Sequence, residues 1–368
     1  IDANHRQIVS APPPVDRRLA CTIYEALRRE VCLAAPLFGV RVANGCIVRG
    51  HGDLRPEHVY FDPFPLVIDG IEFNPSLREV DWLDELAFLA VESDALHAAW
   101  FADAVVRRCL ASLQDELPPR LWAFYKCYRA TVRCLVNVVR ACQSDLHDAA
   151  MLDEAQQRLQ LAGQVARRLS PPMLVVIRGP SGVGKSTLAA RLAQQLGVES
   201  LSTDVVRREM YGPSEPFTVY GVGAYSPERR AAVYDELLRR AGRLLAERRT
   251  AILDGAFLAA RDRSRAVALA QAVGAMPILV NCFCPPQVAE SRIAHRLAAG
   301  VSPSEARPEF HRQQRRRQER DVLTQWTVQA DTRRAPDAIV GQVIAELARR
   351  AGVTTEVTEG TEGRFNDQ

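Results

Sequence analysis

Lysine is almost absent from this sequence. Only Lys126 and Lys185 occur among its 47 basic residues, so the other 45 are arginines. Arginine-rich segments are therefore common through composition alone, and an arginine pattern carries little weight without other support. A lysine at a special position is not explained by composition.

Long apolar runs are absent as well. No stretch approaches the roughly 20 apolar residues of a membrane-spanning helix, and the first residues lack the apolar core of a signal peptide. The nine cysteines show no metal-ligand spacing and favour buried thiols in a reducing compartment. Cys282 and Cys284 lie two apart on a predicted strand and could pair, although simple packing is preferred. We expect a cytoplasmic protein without a membrane partner.

The sequence also lacks a strong excess of one charge. A net charge of +3 over 368 residues does not indicate a polyanionic partner. Arg312, Arg316 and Arg320 share one helical stripe, as in some nucleic-acid-binding proteins, but no aromatic residues are interleaved with them. We therefore expect no nucleic-acid partner, and the role of this stripe and the oligomeric state stay open.

Changes in composition divide the chain into two domains with shorter segments around them. The length exceeds the roughly 250–300 residues at which a single core stops growing. Residues 1–18 are polar and proline-rich and are predicted to be flexible, whereas residues 19–147 carry mainly helical periodicity. A helical linker is predicted over residues 148–172, where the sequence "SPP" ends the pattern.

Residues 173–350 alternate short apolar strands with helical stretches. The runs "MLVVIRG", "TAILDGAF" and "MPILVNCF" are typical of strands covered on both faces of a parallel sheet. The predicted fold class is therefore α/β, with a parallel sheet and flanking helices, preceded by a mostly helical domain. Residues 351–368 are polar and are predicted to be disordered.

Directly after the first of these strands, "GPSGVGKST" fits the phosphate-loop (P-loop) pattern G-x-x-x-x-G-K-[ST]. Glycines let backbone N–H groups surround an anion, Lys185 reaches the β and γ phosphates, and the Ser186 hydroxyl ligates magnesium. We predict ATP and Mg²⁺ as cofactors. The predicted nucleotide-binding residues are Gly179, Pro180, Ser181, Gly182, Val183, Gly184, Lys185, Ser186 and Thr187.

Two aspartates complete the predicted chemistry. Asp254 ends the strand "TAILD", at the sheet edge where ligands bind in open α/β folds, and is predicted to support the metal. Asp204, in "LSTDVVRREM", is predicted to orient an acceptor hydroxyl and take its proton. The alternatives are structural: a helix cap at Asp254, and an N-cap at Asp204 for a helix beginning at Val205.

Two arginines farther along the chain are candidates for covering the transferring phosphate. Arg292 and Arg296 lie one turn apart on one face of a predicted helix. Phosphoryl transfer depends mainly on positioning and charge neutralisation, so arginines near the γ phosphate are expected. In a chain with 45 arginines, a solvated helix face is the competing interpretation.

Residues 173 to about 350 resemble a group of small P-loop kinases that includes gluconate kinases and zeta toxins. The resemblance rests on "GPSGVGKST", on "TDVVR" with Asp204 and Arg207, on "LDGAF" with Asp254, and on a lid-like region after Arg292. It implies ATP-dependent phosphorylation of a hydroxyl on a small molecule. Through "GAYSPERRAAVYDELL" it adds Tyr225 and Arg229 as acceptor-binding candidates, with packing as an equal alternative for the tyrosine. Gly255 and Ala256 depart from the group, which often has a small hydroxylated residue after the aspartate.

A second resemblance lies in the helical domain. "HGDLRPEHVYF" with "VIDGIEFN" resembles the catalytic segment of aminoglycoside and choline phosphotransferases, which implies that Asp53 orients an acceptor and Asp69 holds magnesium. Capping and turn roles are the alternative for both. His58 stands where that family usually has asparagine, a better ligand for a hard cation. About 50 residues precede His51, and none of them is a lysine, so we expect this C-lobe-like domain to lack the lobe that grips ATP. Whether such a lobe precedes this sequence stays open.

The pairing of the two segments resembles proteins described as bifunctional aminoglycoside phosphotransferase and ATP-binding proteins. The leading hypothesis is a kinase that transfers the γ phosphate of ATP to a sugar-like small molecule from residues 173–350. One alternative is a nucleotide-dependent switch or scaffold without a metabolite acceptor. Another is a zeta-toxin-like kinase acting on a nucleotide sugar.

Overall fold

A computed structural model describes residues 1–143, 148–212, 223, 226–299, 307–320 and 322–353. One predicted site residue, Tyr225, and most of the predicted tail lie outside these residues. Among the described helices, none is both long enough and apolar enough to cross a membrane.

The first half of the chain is mostly helical. Its seven described helices are α1 (Asp2–Val9), α2 (Arg17–Leu33), α3 (Ala35–Ala43), α4 (Trp82–Ala95), α5 (Ala99–Leu113), α6 (Pro119–Gln143) and α7 (Ala149–Ala166). Four short strands form two antiparallel pairs, β1 (Ile47–Arg49) with β4 (Glu79–Asp81), and β2 (Val59–Tyr60) with β3 (Leu66–Val67).

The helical core extends beyond the predicted boundaries of this domain. Residues 1–18, predicted to be flexible, include α1 and bury Ile8, Ala11 and Val15 in the core. Residues 148–172, predicted to be a linker, include α7, which packs along α6. The buried residues of α7, among them Leu152, Ala155, Leu159 and Ala162, recur every three or four positions and face this core.

The second half is an α/β domain. Its strands are β5 (Met173–Arg178), β6 (Glu199–Ser202), β7 (Ala251–Asp254), β8 (Met276–Phe283) and β9 (Thr327–Asp331). Its helices are α8 (Lys185–Leu196), α9 (Thr203–Tyr211), α10 (Pro227–Ala246), α11 (Ala260–Ala272), α12 (Pro286–Ala299), α13 (Pro308–Arg317) and α14 (Pro336–Arg350). The strands pair in parallel in the order β6-β7-β5-β8-β9, which confirms the predicted fold class.

Helices cover both faces of this sheet. On one face, α8 and α14 pack through residues such as Leu192 and Val343, and on the other, α10 and α11 pack through residues such as Leu237 and Ala266. All six residues of β5 are buried, as expected for the central strand of a parallel sheet. The carboxyl ends of β5, β6 and β7 therefore meet at one edge.

Helix α2 joins the two halves of the chain. Its last residue, Leu33, is fully buried with the sheet residues and α8 instead of with the helical core. Arg29 of α2 donates to the carbonyl of Ser170 at 2.7 Å and to the hydroxyl of Thr250 at 3.2 Å. Thr250 also accepts from the N–H of Met173 at 3.1 Å. The residues directly before β5 and β7 are thus fixed by the helical half.

A buried carboxylate strengthens this junction. Glu30 is fully buried and forms a salt bridge with Arg120 of α6. It also accepts from the Ser170 hydroxyl at 2.8 Å, while Arg120 donates to the carbonyl of Ala351 at 2.9 Å. Glu25 of α2 likewise pairs with Arg249 at 2.7 Å and accepts from the N–H of Thr250 at 3.2 Å. We call Glu25, Arg29, Glu30, Arg120, Ser170, Arg249 and Thr250 the junction network.

Candidate functional site

The phosphate loop lies between the buried strand β5 and helix α8, in the context that the motif requires. Gly179, Gly182 and Gly184 have φ values of 137°, 82° and 88°, a region that favours glycine. A Cβ atom at residue 182 would lie 2.6 Å from the carbonyl oxygen of Ala289 in α12. Three glycines of the loop therefore have positive φ values, and α12 packs closely against the loop.

Lys185 is the first residue of α8, and its ammonium lies within the loop. Its Nζ atom donates to the carbonyl of Pro180 at 2.9 Å. The positive end of the α8 dipole adds to the positive charge at this position. The arrangement can bind the phosphates of a nucleotide through the loop amides and this ammonium.

Asp254 and Ser186 meet across the sheet edge. Asp254 ends β7, is 6% exposed, and lies beside the phosphate loop with Ser186 and Lys185 in the wall of one cavity. Burial raises the pKa of the Asp254 carboxyl, while the ammonium of Lys185 and the Ser186 hydroxyl act in the opposite direction. The structure thus brings together the two predicted metal-binding residues.

These two oxygen donors fit a magnesium ion. Within the described ranges, no group of three or more His, Cys, Asp or Glu side chains could hold a metal by itself. Magnesium usually binds through one or two carboxylates and keeps its remaining positions for water and substrate phosphates. A serine hydroxyl and one carboxylate beside a phosphate loop match that preference.

Asp204 lies inside helix α9 and is not its cap. The helix begins at Thr203, and the side chain of Ser202 accepts from the N–H of Asp204 at 3.2 Å. Arg207, one turn later, donates to the Asp204 Oδ1 atom at 2.5 Å. The N-cap alternative at Asp204 is therefore wrong, because Ser202 performs that role.

One cavity of about 670 Å³ contains these groups. The phosphate loop and Asp254 form one part of its wall, and α9, α10 and the start of α11 form another. The lining residues include Lys185, Ser186, Ser202, Asp204, Arg207, Arg230, Tyr234, Asp254, Asp262, Arg292, Arg296, Gln314 and Arg317.

Both arginines predicted to cover the phosphate line this cavity. Arg292 donates to the carbonyl of Thr332 at 2.7 Å, and its Nη1 atom would lie 3.5 Å from a Cβ at Gly184. The guanidinium is therefore anchored beside the phosphate loop. Arg296 has two buried nitrogens, Nε and Nη2, that bond to none of the described residues.

The acceptor-binding candidates on α10 are placed differently from the prediction. Arg229 is exposed and stacks over the ring of Tyr211 at 4.8 Å, outside the cavity wall. Its neighbour Arg230 and Tyr234, one turn later, line the cavity instead. Helical spacing links Arg230 with Tyr234, and this was the signal that could have identified them. Tyr225 lies outside the described residues.

The loop after β7 is held by buried side chains that the sequence did not single out. Phe257 has a φ of 43°, and its N–H donates to the Tyr234 hydroxyl at 2.9 Å. Arg263, fully buried in α11, donates to the carbonyls of Leu258 and Arg320 at 2.7 Å. Through these hydrogen bonds, Arg263 connects the loop after Asp254 with the residues that follow α13.

The second predicted site, in the helical half, is a cluster of side chains in which an arginine pairs with one of the predicted aspartates. His58 Nε2 lies 3.3 Å from Asp69 Oδ2, and His58 Nδ1 lies 3.0 Å from the carbonyl of Asp53. The carboxylate of Asp53 accepts from Arg55 at 3.0 Å, and Arg55 also pairs with Glu57. The three predicted residues do come together, but the cation beside Asp53 is a guanidinium from the chain itself.

Residues 174–320 match the family model described as an AAA domain. Uncharacterized proteins of Mycobacterium bovis and Mycobacterium tuberculosis are 34% identical over 275 residues, which cover 73% of this chain and 54% of theirs. The chain thus spans about half the length of these curated relatives. A 2-phosphoglycerate kinase of Pyrococcus furiosus is 47% identical over 45 residues, covering 12% of this chain and 15% of that protein.

Two solved structures are similar to about half of the chain. A putative kinase from Chloroflexus aurantiacus is 24% identical with a TM-score of 0.40, covering 49% of this chain and 98% of that one. A gluconokinase from Sinorhizobium meliloti is 22% identical with a TM-score of 0.39, covering 50% of this chain and 94% of that one.

Proposed function

We propose that the α/β half is an ATP-dependent kinase that transfers the γ phosphate to a hydroxyl of a sugar-like small molecule. One observation carries the proposal: a single cavity combines a phosphate loop and its lysine with two separate carboxylates, Asp254 and Asp204. A nucleotide site alone needs only the first carboxylate. The second, in the first turn of helix α9, is available for an acceptor.

The two carboxylates have different surroundings, which suits different roles. Asp254 is buried beside the phosphate-loop serine and lysine, and is the carboxylate we assign to magnesium. Asp204 is held by Arg207 through Oδ1, and we assign its Oδ2 atom to the acceptor hydroxyl. In this arrangement Asp204 orients the hydroxyl and takes its proton as the phosphate is transferred.

Positive charge around the phosphates comes from three side chains. Lys185 is placed at the start of α8, and Arg292 is anchored to Thr332 beside Gly184. Arg296 has buried nitrogens that a bound phosphate oxygen could satisfy. When bound, magnesium would supply further neutralising charge on the phosphate oxygens.

The cavity volume is compatible with a nucleotide and a small acceptor. About 670 Å³ lies within the roughly 300–1,000 Å³ of ordinary small-molecule sites. On the acceptor side we assign Arg207, Arg230 and Tyr234 as binding residues. A macromolecular acceptor is not part of the proposal, and we place the activity in the cytoplasm, where ATP is available and where the nine free cysteines would stay reduced.

We further propose that the phosphotransferase-like segment in the helical half does not transfer phosphate. His58 stands where the second metal ligand would be needed, and an imidazole is a poorer ligand than an oxygen for a hard cation such as magnesium. The sequence also contains no lysine before Lys126 that could bind the phosphates of ATP beside this segment. The helical half would then support the α/β half or bind a partner.

The test is ADP release from ATP and magnesium with a panel of sugars and polyols. Wild-type protein is expected to release ADP faster when the right acceptor is present, and Lys185→Ala should lose this stimulation. Equal rates for the two proteins would contradict the proposal. Slow turnover that no small molecule alters, but that a protein partner changes, would favour a nucleotide switch.

A zeta-toxin-like kinase is distinguished by a different measurement. Toxicity on expression that Asp204→Ala abolishes, together with ADP release stimulated by nucleotide sugars, would identify that acceptor class. Absence of toxicity with stimulation by simple sugars or polyols would exclude it.

A further inference from the structure

Helix α13 buries two polar side chains on one face. His311 is 1% exposed and Gln314 is 7% exposed, whereas Arg312, Gln313, Arg315 and Arg316 around them are exposed. The buried pair lies three residues apart, one helical turn, so both side chains reach the same neighbour. Burying polar groups is unfavourable unless they are hydrogen-bonded, so their partners are informative.

Both side chains bond to one residue of the phosphate loop. His311 Nδ1 donates to the carbonyl of Ser181 at 2.7 Å. Gln314 Oε1 accepts from the N–H of Ser181 at 2.6 Å. The two backbone polar groups of Ser181 are therefore both held by α13, much as a neighbouring strand would hold them.

Ser181 lies in the part of the phosphate loop where the backbone has the most conformational freedom, so its hydrogen bonds to α13 restrict the loop. It lies between Gly179 and Gly182, whose positive φ values mark the freest part of the loop backbone. Because Gln314 already accepts from the Ser181 N–H, that group is not available to a phosphate. The amides that follow it in the loop are left for the anion.

We propose that His311 and Gln314 are positioning residues that hold the phosphate loop in its nucleotide-accepting shape before ATP binds. This inference rests on the proposed function. We call this pair of side chains the clamp. It lowers the conformational cost of nucleotide binding, because a loop without it adopts the nucleotide-accepting shape for only part of the time and the apparent Kd for the nucleotide rises accordingly. The two residues do not take part in the chemical step, so their effect should fall on nucleotide affinity.

The test compares His311→Phe, which removes the donor at similar size, and Gln314→Met, which removes the acceptor. Each should raise the Kd and KM for Mg·ATP about five- to tenfold, the usual worth of one hydrogen bond. The kcat at saturating ATP should change less than about twofold. His311→Asn keeps an N–H donor at the δ position and should restore most of the affinity.

Matched controls separate the clamp from general effects of substitution. Gln313→Met changes an exposed residue on the same helix, and His295→Phe changes an exposed histidine on α12. Both should leave the Kd within about twofold of wild type. The double variant His311→Phe/Gln314→Met should lose less affinity than the product of the single losses, because both residues hold the same loop residue.

Hydrogen exchange of the loop amides without nucleotide provides an independent measurement. Exchange at residues 181–184 should be about tenfold faster in each clamp variant than in wild type and the controls. Unchanged exchange, or unchanged Kd in the double variant, would overturn the inference. Wild-type protein that binds no Mg·ATP would overturn the proposed function instead, and exchange would still decide whether the clamp exists.

Discussion

At the scale of single residues, the buried charge of Asp254 links activity to stability. Burial raises the pKa of this carboxyl above its ordinary value. A carboxyl with a raised pKa in the folded state stabilises the fold most at low pH, and this contribution is lost as the pH rises through the raised pKa. At neutral pH the ionised Asp254 is therefore a cost to stability that function requires.

Asp254→Asn should consequently raise the free energy of unfolding at pH 7 by about 1 kcal/mol while abolishing magnesium-dependent ATP binding. Urea unfolding and calorimetric titration measure the two effects. Asp153→Asn, at an exposed position of α7, is the control and should change neither. A less stable Asp254→Asn protein would contradict the assigned cost of the buried charge.

The raised pKa also predicts the pH dependence of nucleotide binding. Magnesium needs the ionised carboxylate, so protons compete with it at higher pH than they would at an ordinary aspartate. Mg·ATP affinity should decrease as the pH falls through the raised pKa, and affinity for ATP measured with EDTA present should decrease less. Equal pH profiles with and without magnesium would show that Asp254 does not hold the metal.

For Asp204 we predict an effect on the turnover rate, whereas for Asp254 we predict an effect on Mg·ATP affinity. Asp204→Asn keeps the size of the side chain and removes the proton acceptor, so kcat for the acceptor reaction should fall about 10²- to 10⁴-fold. The Kd for Mg·ATP should stay within about twofold. Glu209→Gln, at an exposed acidic position of the same helix, should retain wild-type kcat.

The residues that the sequence pointed to at strand ends, after them and in the phosphate loop line one cavity. Lys185, Ser186, Asp204 and Asp254 occupy positions that a motif or a strand end defines locally. Arg230 could not be chosen over Arg229 in the same way, because the inward face of α10 depends on how the helix packs on the sheet.

At the scale of elements, α2 is the helix whose role differs most from its local pattern. Its periodicity predicted a helix, but not that its end packs on the sheet. Leu33→Ala should lower the free energy of unfolding by about 2–5 kcal/mol, since a fully buried leucine leaves a cavity in the sheet core. Leu113→Ala, 56% exposed in α5, should cost less than about 0.5 kcal/mol in the same urea titration.

The strands of the sheet were predictable for a simple reason. β5, β7 and β8 are continuous apolar runs because both of their faces are covered. Helix α1 was not predicted, because its sequence "DANHRQIV" is mostly polar and buries only Ile8. A single anchoring residue leaves no periodic signal.

At the scale of the whole molecule, the junction network makes the two halves interdependent. Glu30→Gln removes the charge that balances Arg120 and is expected to cost about 3–5 kcal/mol. Unfolding should remain a single transition, followed identically by circular dichroism and tryptophan fluorescence, with its midpoint at lower urea. Two separated transitions in the wild-type protein would show that the halves unfold independently.

The sequence predicted two domains but not this junction. Charged residues on α2 are usual on a solvated helix face, and only the folded chain shows that Glu25, Arg29 and Glu30 are buried. Their partners come from distant positions, such as Ser170 and Thr250, so no local pattern could reveal them.

The scarcity of lysine has a practical consequence for labelling chemistry. Apart from the terminal amine, an acylating reagent meets only two primary amines, and Lys126 is shielded by its ion pair with Asp94 at 2.5 Å. Mass spectrometry of the digested protein could then follow acylation of Lys185 almost without background. A nucleotide bound in the cavity would be detected as reduced acylation of the peptide that contains Lys185.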